Sequence, residues 1–193
     1  MNGFRNEIGR YLKELTDVIG RLDLDQIDSA MKALMEAYEK EGRVYIFGNG
    51  GSAATASHFV CDFNKGVSVN LEKKFNFVCL NDNVPTVMAI ANDCGYENVF
   101  LLQLKNKLKK NDVIIAISGS GNSENVIKAV EYAKEKGNKI ITLTGYDGGR
   151  LLKLADHPIH VNMNDMQKVE DVHMILDHLM SQVIAGSLGQ KMC

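Results

Sequence analysis

The sequence has no CxxC pair, no apolar run of membrane length, no excess of one charge sign and no low-complexity stretch. Each absence removes a class of protein. The four cysteines (Cys61, Cys79, Cys94 and Cys193) are scattered, so a disulfide-built secreted fold is not expected and reduced, cytosolic thiols are. Lys and Arg number 22 against 24 Asp and Glu, a net charge of −2. That balance argues against nucleic acid or an anionic membrane as the main partner. A membrane span needs ~18 consecutive apolar residues, and none is found. The first residues, MNGFRNEIGRYLKEL, form a charged amphipathic stretch unlike a signal peptide. With 193 residues, 45% of them apolar, the chain suits one domain with a sizeable core, spanning 1–193.

The first 42 residues carry helical periodicity. Phe4, Ile8, Tyr11, Leu12, Leu15, Val18, Ile19 and Leu22 recur at three- and four-residue steps, one face of a helix. A second helix is expected from an N-cap at Asp25 through Ile27, Met31, Leu34, Met35 and Tyr38 to a stop at Gly42. The first helix has no strand beside it to cover, so its stripe should meet another subunit or the flank of the domain.

From residue 43 the pattern changes to short apolar runs alternating with helical segments. Strands are expected at 43–48, 75–80, 112–118, 139–145 and 158–163. Helices are expected at about 52–63, 84–92, 96–109, 123–136, 147–155 and 168–187. Strands rich in Val, Ile and Phe without alternation are buried on both faces. The fold class is therefore α/β, a doubly wound five-stranded parallel sheet sandwiched by helices, preceded by two N-terminal helices. In such sheets ligands bind beyond the carboxyl ends of the strands.

Two loops there suit an anion. GNGGSA, Gly48–Ala53, follows the first strand and opens a helix; its glycines admit close backbone approach, and the helix start offers free N–H groups. It fits a dinucleotide fingerprint poorly, because the next acidic residue at a strand end, Asp82, comes about 30 positions on instead of ~20. No Walker A lysine is present either. SGSGNS, Ser118–Ser123, repeats the arrangement with three hydroxyls, as a compact phosphate monoester held by directed hydrogen bonds requires. Ser123 also reads as an N-cap. TGYDGG, 144–149, reads as a Gly-rich turn. Two such loops at separate strand ends point to a phosphorylated ligand.

These motifs, with AIANDCG (89–95) and EDVHMILDH in the last helix, resemble the sugar isomerase (SIS) domain family, in particular its phosphoheptose isomerases. The resemblance spans nearly the whole chain. It implies that Ser118, Gly119, Ser120 and Ser123 hold a sugar phosphate and that Asn49, Gly50, Gly51, Ser52, Asn92 and Asp93 line the sugar site. It also implies a cytoplasmic homotetramer with sites at subunit junctions, acting on sedoheptulose 7-phosphate on the way to surface heptoses.

Spacing alone places His58 and Asp62 on one helical face, able to reach a common divalent ion. Glu170, His173, Asp177 and His178 offer further ligands on the last helix. The resemblance selects His58, Asp62, Glu170 and His178 around one Zn²⁺ per subunit, and leaves His173 and Asp177 supporting or structural roles. Three departures accompany it: Asp62 and Glu170 stand where the family has Glu and Gln, and Gly119 where Thr is common. Proton transfer between C1 and C2 needs a base, a group serving the oxygens and stabilisation of the enediolate. The resemblance implies Asp62, Glu170 and His178 as the catalytic candidates, a carboxylate as the base and His178 as the acid. Asp62 is one methylene short of the family's base, so it is expected mainly as a ligand, with Glu170 sharing or taking the base role. The rival readings are a non-catalytic SIS protein that senses a sugar phosphate or binds a protein, disfavoured by His178, and a nucleotide-dependent oxidoreductase, which rests on GNGGSA alone.

Overall fold

A computed structural model gives the fold of residues 3–191; Cys193, one of the expected free thiols, lies outside the described residues. Two helices lead, α1 (Arg5–Ile19) and α2 (Leu24–Glu39). Strands β1 (Val44–Gly48), β2 (Phe77–Cys79), β3 (Val113–Ser118), β4 (Lys139–Thr144) and β5 (His157–His160) follow. Between and after them come α3 (Gly51–Cys61), α4 (Val84–Cys94), α5 (Leu101–Leu104), α6 (Glu124–Glu135), α7 (Gly149–Leu154) and α8 (Met166–Ser187).

All strand pairings are parallel and the spatial order is β2-β1-β3-β4-β5. The sheet splits the core into two layers because successive side chains point to opposite faces. Val44, Ile46, Ile115, Ile117, Ile141 and Leu143 pack with α1, α2, α3 and α8. Tyr45, Phe47, Ile114, Ala116 and Ile140 pack with α5, α6 and α7 on the other side. Each fully buried isoleucine contributes about 1.5–3 kcal/mol of apolar transfer, and the central strand β3 carries three of them.

Both sheet edges are occupied. Asn64 bonds both backbone groups of Phe77 on β2, at 2.9 Å each. On β5, which carries Pro158 as edge strands tolerate, the His160 N–H donates to Gln26 Oε1 of α2 at 3.0 Å. Helix α1 lies against α8, where Tyr11 donates to Asp171 and Lys168 meets Glu14; its Phe4, Ile8 and Leu12 remain exposed.

Four expectations need correction. The α2 cap is Asp23, whose carboxylate accepts from the Asp25 and Gln26 N–H groups. The helix expected at 96–109 is a 3₁₀ turn, Tyr96–Asn98, and the single turn of α5, ended where Lys105 becomes extended. Strand β2 is shorter than 75–80, because the Phe75 N–H is taken by Ser68 Oγ. Helix α3 does not stop near residue 63 but runs on as a π-helical turn, Asp62–Val67, a feature frequent at functional sites.

Candidate active site

The order of strands reverses between β1 and β3, since β1 leads outward to β2 and β3 leads the other way. Such a switch point leaves a crevice at the strand ends. Both Gly/Ser loops open onto it. One cavity of about 220 Å³ is lined by Asn49, Gly50, Gly51 and Ser52 from the first loop and Ser118, Gly119, Ser120 and Ser123 from the second, with Met166 and Glu170 of α8 closing its side.

The first loop is held by side-chain amides. Asn49 and Asn125 exchange two hydrogen bonds of 2.9 Å, tying the loop after β1 to the start of α6. Tyr96 donates to Asn49 Oδ1 at 2.8 Å, and Asn81 bonds both backbone groups of Gly48. Asn49 thus serves the shape of the loop as well as its lining. Gly50 precedes α3 at φ +56°, a conformation that favours glycine.

In the second loop Ser118 Oγ and Ser123 Oγ lie 3.2 Å apart, and the Gly121 N–H reaches Ser118 Oγ at 3.2 Å. Ser123 precedes α6 but makes no side-chain cap bond, so its hydroxyl is directed at the loop and not at the helix. Gly121 has φ +64° and lies against the backbone of Gly148, so the 144–149 turn braces the phosphate-type loop. A Cβ on Gly119 would fall 2.5 Å from Met166 Sδ. The room that a larger residue would need there is filled by Met166.

Glu170 lies over the first turn of α3. A Cβ built on Gly51 would meet its carboxylate atoms at 2.3–2.5 Å, so the carboxylate rests on the bare backbone of Gly51. Asn92 and Asp93, expected at the sugar site, do not line the cavity of this chain. They are exposed on α4, where Asn92 donates to Asp93 at 2.7 Å.

A second constellation lies farther along α3 and α8. One donor atom each from His58, Asp62, Asp177 and His178 fall within 4.8 Å of one another. His58 Nε2 is 3.1 Å from His178 Nε2 and 3.7 Å from Asp62 Oδ1. Three of the four ligands expected from the resemblance are here. Glu170 is not among them, and Asp177, expected as a bystander, is. Asp177 is 0% exposed and neither carboxylate oxygen has a hydrogen-bond partner. Burial, with Asp62 adding a like charge, pushes its carboxyl up to about 8. His173, also buried, approaches the Thr144 carbonyl at 3.4 Å, and burial drives its imidazole down to about 4. That places it outside the cluster as a core histidine.

Residues 8–145 match the SIS domain profile. A phosphoheptose isomerase of Helicobacter pylori is 37% identical over 86% of both chains, and one of Citrifermentans bemidjiense is 33% identical over 96% of this chain and 97% of its own. The chain belongs to the SIS domain family, among the phosphoheptose isomerases. The solved phosphoheptose isomerase of Neisseria gonorrhoeae superposes on this SIS chain with a TM-score of 0.86, at 27% identity, over 95% of this chain and all of its own. The cavity between β1 and β3 is lined by both Gly/Ser loops, with Glu170 at its side. Among the described residues no helix is long and apolar enough to cross a membrane.

Proposed function

We propose that this SIS protein is an aldose–ketose isomerase interconverting sedoheptulose 7-phosphate and D-glycero-manno-heptose 7-phosphate. One observation carries the reading: two Gly/Ser loops from separate strands face a single cavity, and a carboxylate stands at its side. The phosphate sits among the hydroxyls of Ser118, Ser120 and Ser123 and the N–H groups opening α6, where a helix start favours negative charge. The sugar then runs along Gly50, Gly51 and Ser52, which brings its carbonyl end beneath Glu170. Glu170 takes the proton from one carbon and returns it to the next, a transfer that needs only one carboxylate placed over both. Helix-start N–H groups of α3 face the oxygens, where negative charge develops.

The cluster at His58, Asp62 and His178 fits a divalent cation such as Zn²⁺. Two imidazoles and carboxylates at this spacing are the donor set zinc takes, and the buried, unpartnered Asp177 carboxylate beside them is the kind of orphaned group a cation would satisfy. When bound there, the ion supplies Lewis acidity toward a substrate oxygen. We place the enzyme in the cytoplasm as a homotetramer, in which the exposed α1 stripe is covered and Asn92 and Asp93 serve a neighbouring copy's cavity.

Purified protein incubated with sedoheptulose 7-phosphate should form the aldose, and prior treatment with chelator should slow it. Complete inertness toward ketose phosphates in zinc-loaded protein refutes the assignment.

A further inference from the structure

We propose that Asp177 is the fourth protein ligand of the cation centre, so that Glu170 stays outside it as a carboxylate of the sugar cavity. The inference deepens the isomerase reading and rests on it for the centre's purpose.

A carboxylate with 0% exposure and two unpartnered oxygens is a rare object, because buried charges are paired or coordinate metals. No Lys, Arg or His forms an ion pair with Asp177 among the described residues. Its surroundings instead hold the donor atoms of His58, Asp62 and His178, all within 4.8 Å. Those residues come from two elements that pack together: His58 from α3, Asp62 from the π-helical turn that continues it, and Asp177 with His178 from α8. The π-helical turn is anchored at Asn64 on both backbone groups of Phe77, so Asp62 is fixed against the sheet.

Two neutral imidazoles and two carboxylates carry −2 and neutralise a divalent ion, as tetrahedral zinc sites do. Adding Glu170 would bring an uncompensated third carboxylate. Glu170 is also spatially committed: its carboxylate rests on Gly51, beside the phosphate-type loops. Seven residues separate Glu170 from Asp177, about 10 Å along α8. Ligation and proton transfer are thereby divided between two acids of one helix.

Zinc titrated into metal-free protein against a chromophoric chelator measures the division. Supporting contacts around a metal cost 10–100-fold in affinity, so Asp177→Asn, which loses a direct ligand, should weaken zinc by ~100-fold or more. Glu170→Gln should bind zinc within about threefold of the unaltered protein, on the same reasoning, while losing turnover. Cobalt substituted for zinc should show a changed visible spectrum in Asp177→Asn only. Melting of the metal-free variants checks that each is folded. Crystals of the unaltered protein soaked in zinc supply a test without mutation, with an Asp177 oxygen expected ~2.0–2.2 Å from the ion. Glu170 in that place, or undiminished zinc affinity in Asp177→Asn, overturns the proposal. Zinc binding with this pattern but no turnover of a ketose phosphate would leave the ligand assignment standing and sink the isomerase reading alone.

Discussion

The position of the Glu170 carboxylate can be disturbed without touching Glu170. Gly51 is the first residue of α3, and its φ is not among the positive values found at Gly50, Gly95 or Gly121. Alanine is therefore conformationally acceptable there and should stabilise by about 0.4–1 kcal/mol through the unfolded chain. The new methyl, however, would sit 2.3–2.5 Å from the Glu170 carboxylate atoms. Normal carbon contacts begin at about 3.5 Å, so the carboxylate must retreat by roughly 1 Å. It can do so cheaply, since it is the free end of a flexible side chain. A displacement of ~1 Å at a reacting group costs ~100-fold in rate, near 2.7 kcal/mol of barrier.

Gly51→Ala should thus melt at or above the temperature of the parent and lose about two orders of magnitude in kcat. Steady-state assays on sedoheptulose 7-phosphate and thermal melts read both quantities. Gly186→Ala is the matched control, because its methyl meets nothing within 4 Å; it should leave kcat unchanged. In a Glu170→Gln background the Gly51 substitution should cost little more, as coupled residues are non-additive. A Gly51→Ala enzyme with parental kcat would show that the carboxylate does not act from where it rests.

Two further outcomes follow from the packing. Gly121→Ala places a methyl 2.0 Å from the Gly148 carbonyl oxygen at φ +64°; the left-handed backbone alone costs ~1–2 kcal/mol, so urea melts should show a loss of at least about 2 kcal/mol. His173, held neutral by burial at a pKa of about 4, refuses a proton that the unfolded chain accepts at an ordinary imidazole pKa of ~6.5. Stability from this source is whole above ~6.5 and falls as pH drops toward 4, by about 3 kcal/mol. His173→Gln should flatten that acid limb in urea melts taken between these pH values, and an unchanged slope refutes the buried-neutral assignment.

Where a segment is buried on both faces, its residues announce it. RVYIFG and DVIIAIS hold runs of apolar side chains that only a doubly covered sheet can use, and β1 and β3 occupy those segments. The failures arise where local bonding competes with periodicity. Val99, Phe100 and Leu104 are all buried, as a helix over 96–109 would require, yet the chain reaches them through a 3₁₀ turn and a single α turn. Asn106 at φ +60° ends the segment before Leu108 can extend it. At β2, Phe75 looks like strand, but the Ser68 hydroxyl bonds its N–H and withholds it from the ladder. Side-chain capture of backbone groups from a distant turn leaves no periodic trace.

Helix α8 shows the same limit at finer scale. Lys168, Val169, Val172, His173, Leu176, Asp177, Met180, Ser181, Ile184 and Ala185 are its buried positions, a mostly apolar stripe at steps of three and four. Asp177 is a carboxylate written into that stripe, and a buried acid requires a partner; this signal was present in the sequence. Spacing along α8 singles out no ligand set; it is the resemblance that selects Glu170 with His178, about 12 Å apart along the helix for eight residues, and leaves Asp177 a supporting or structural role. The partners of Asp177 lie on α3 and its π-helical extension, and only packing of α3 against α8 brings them together. Helical phase can therefore identify which acid is buried, but the opposing helix decides whether that acid faces a hydrophobic wall or a pair of imidazoles.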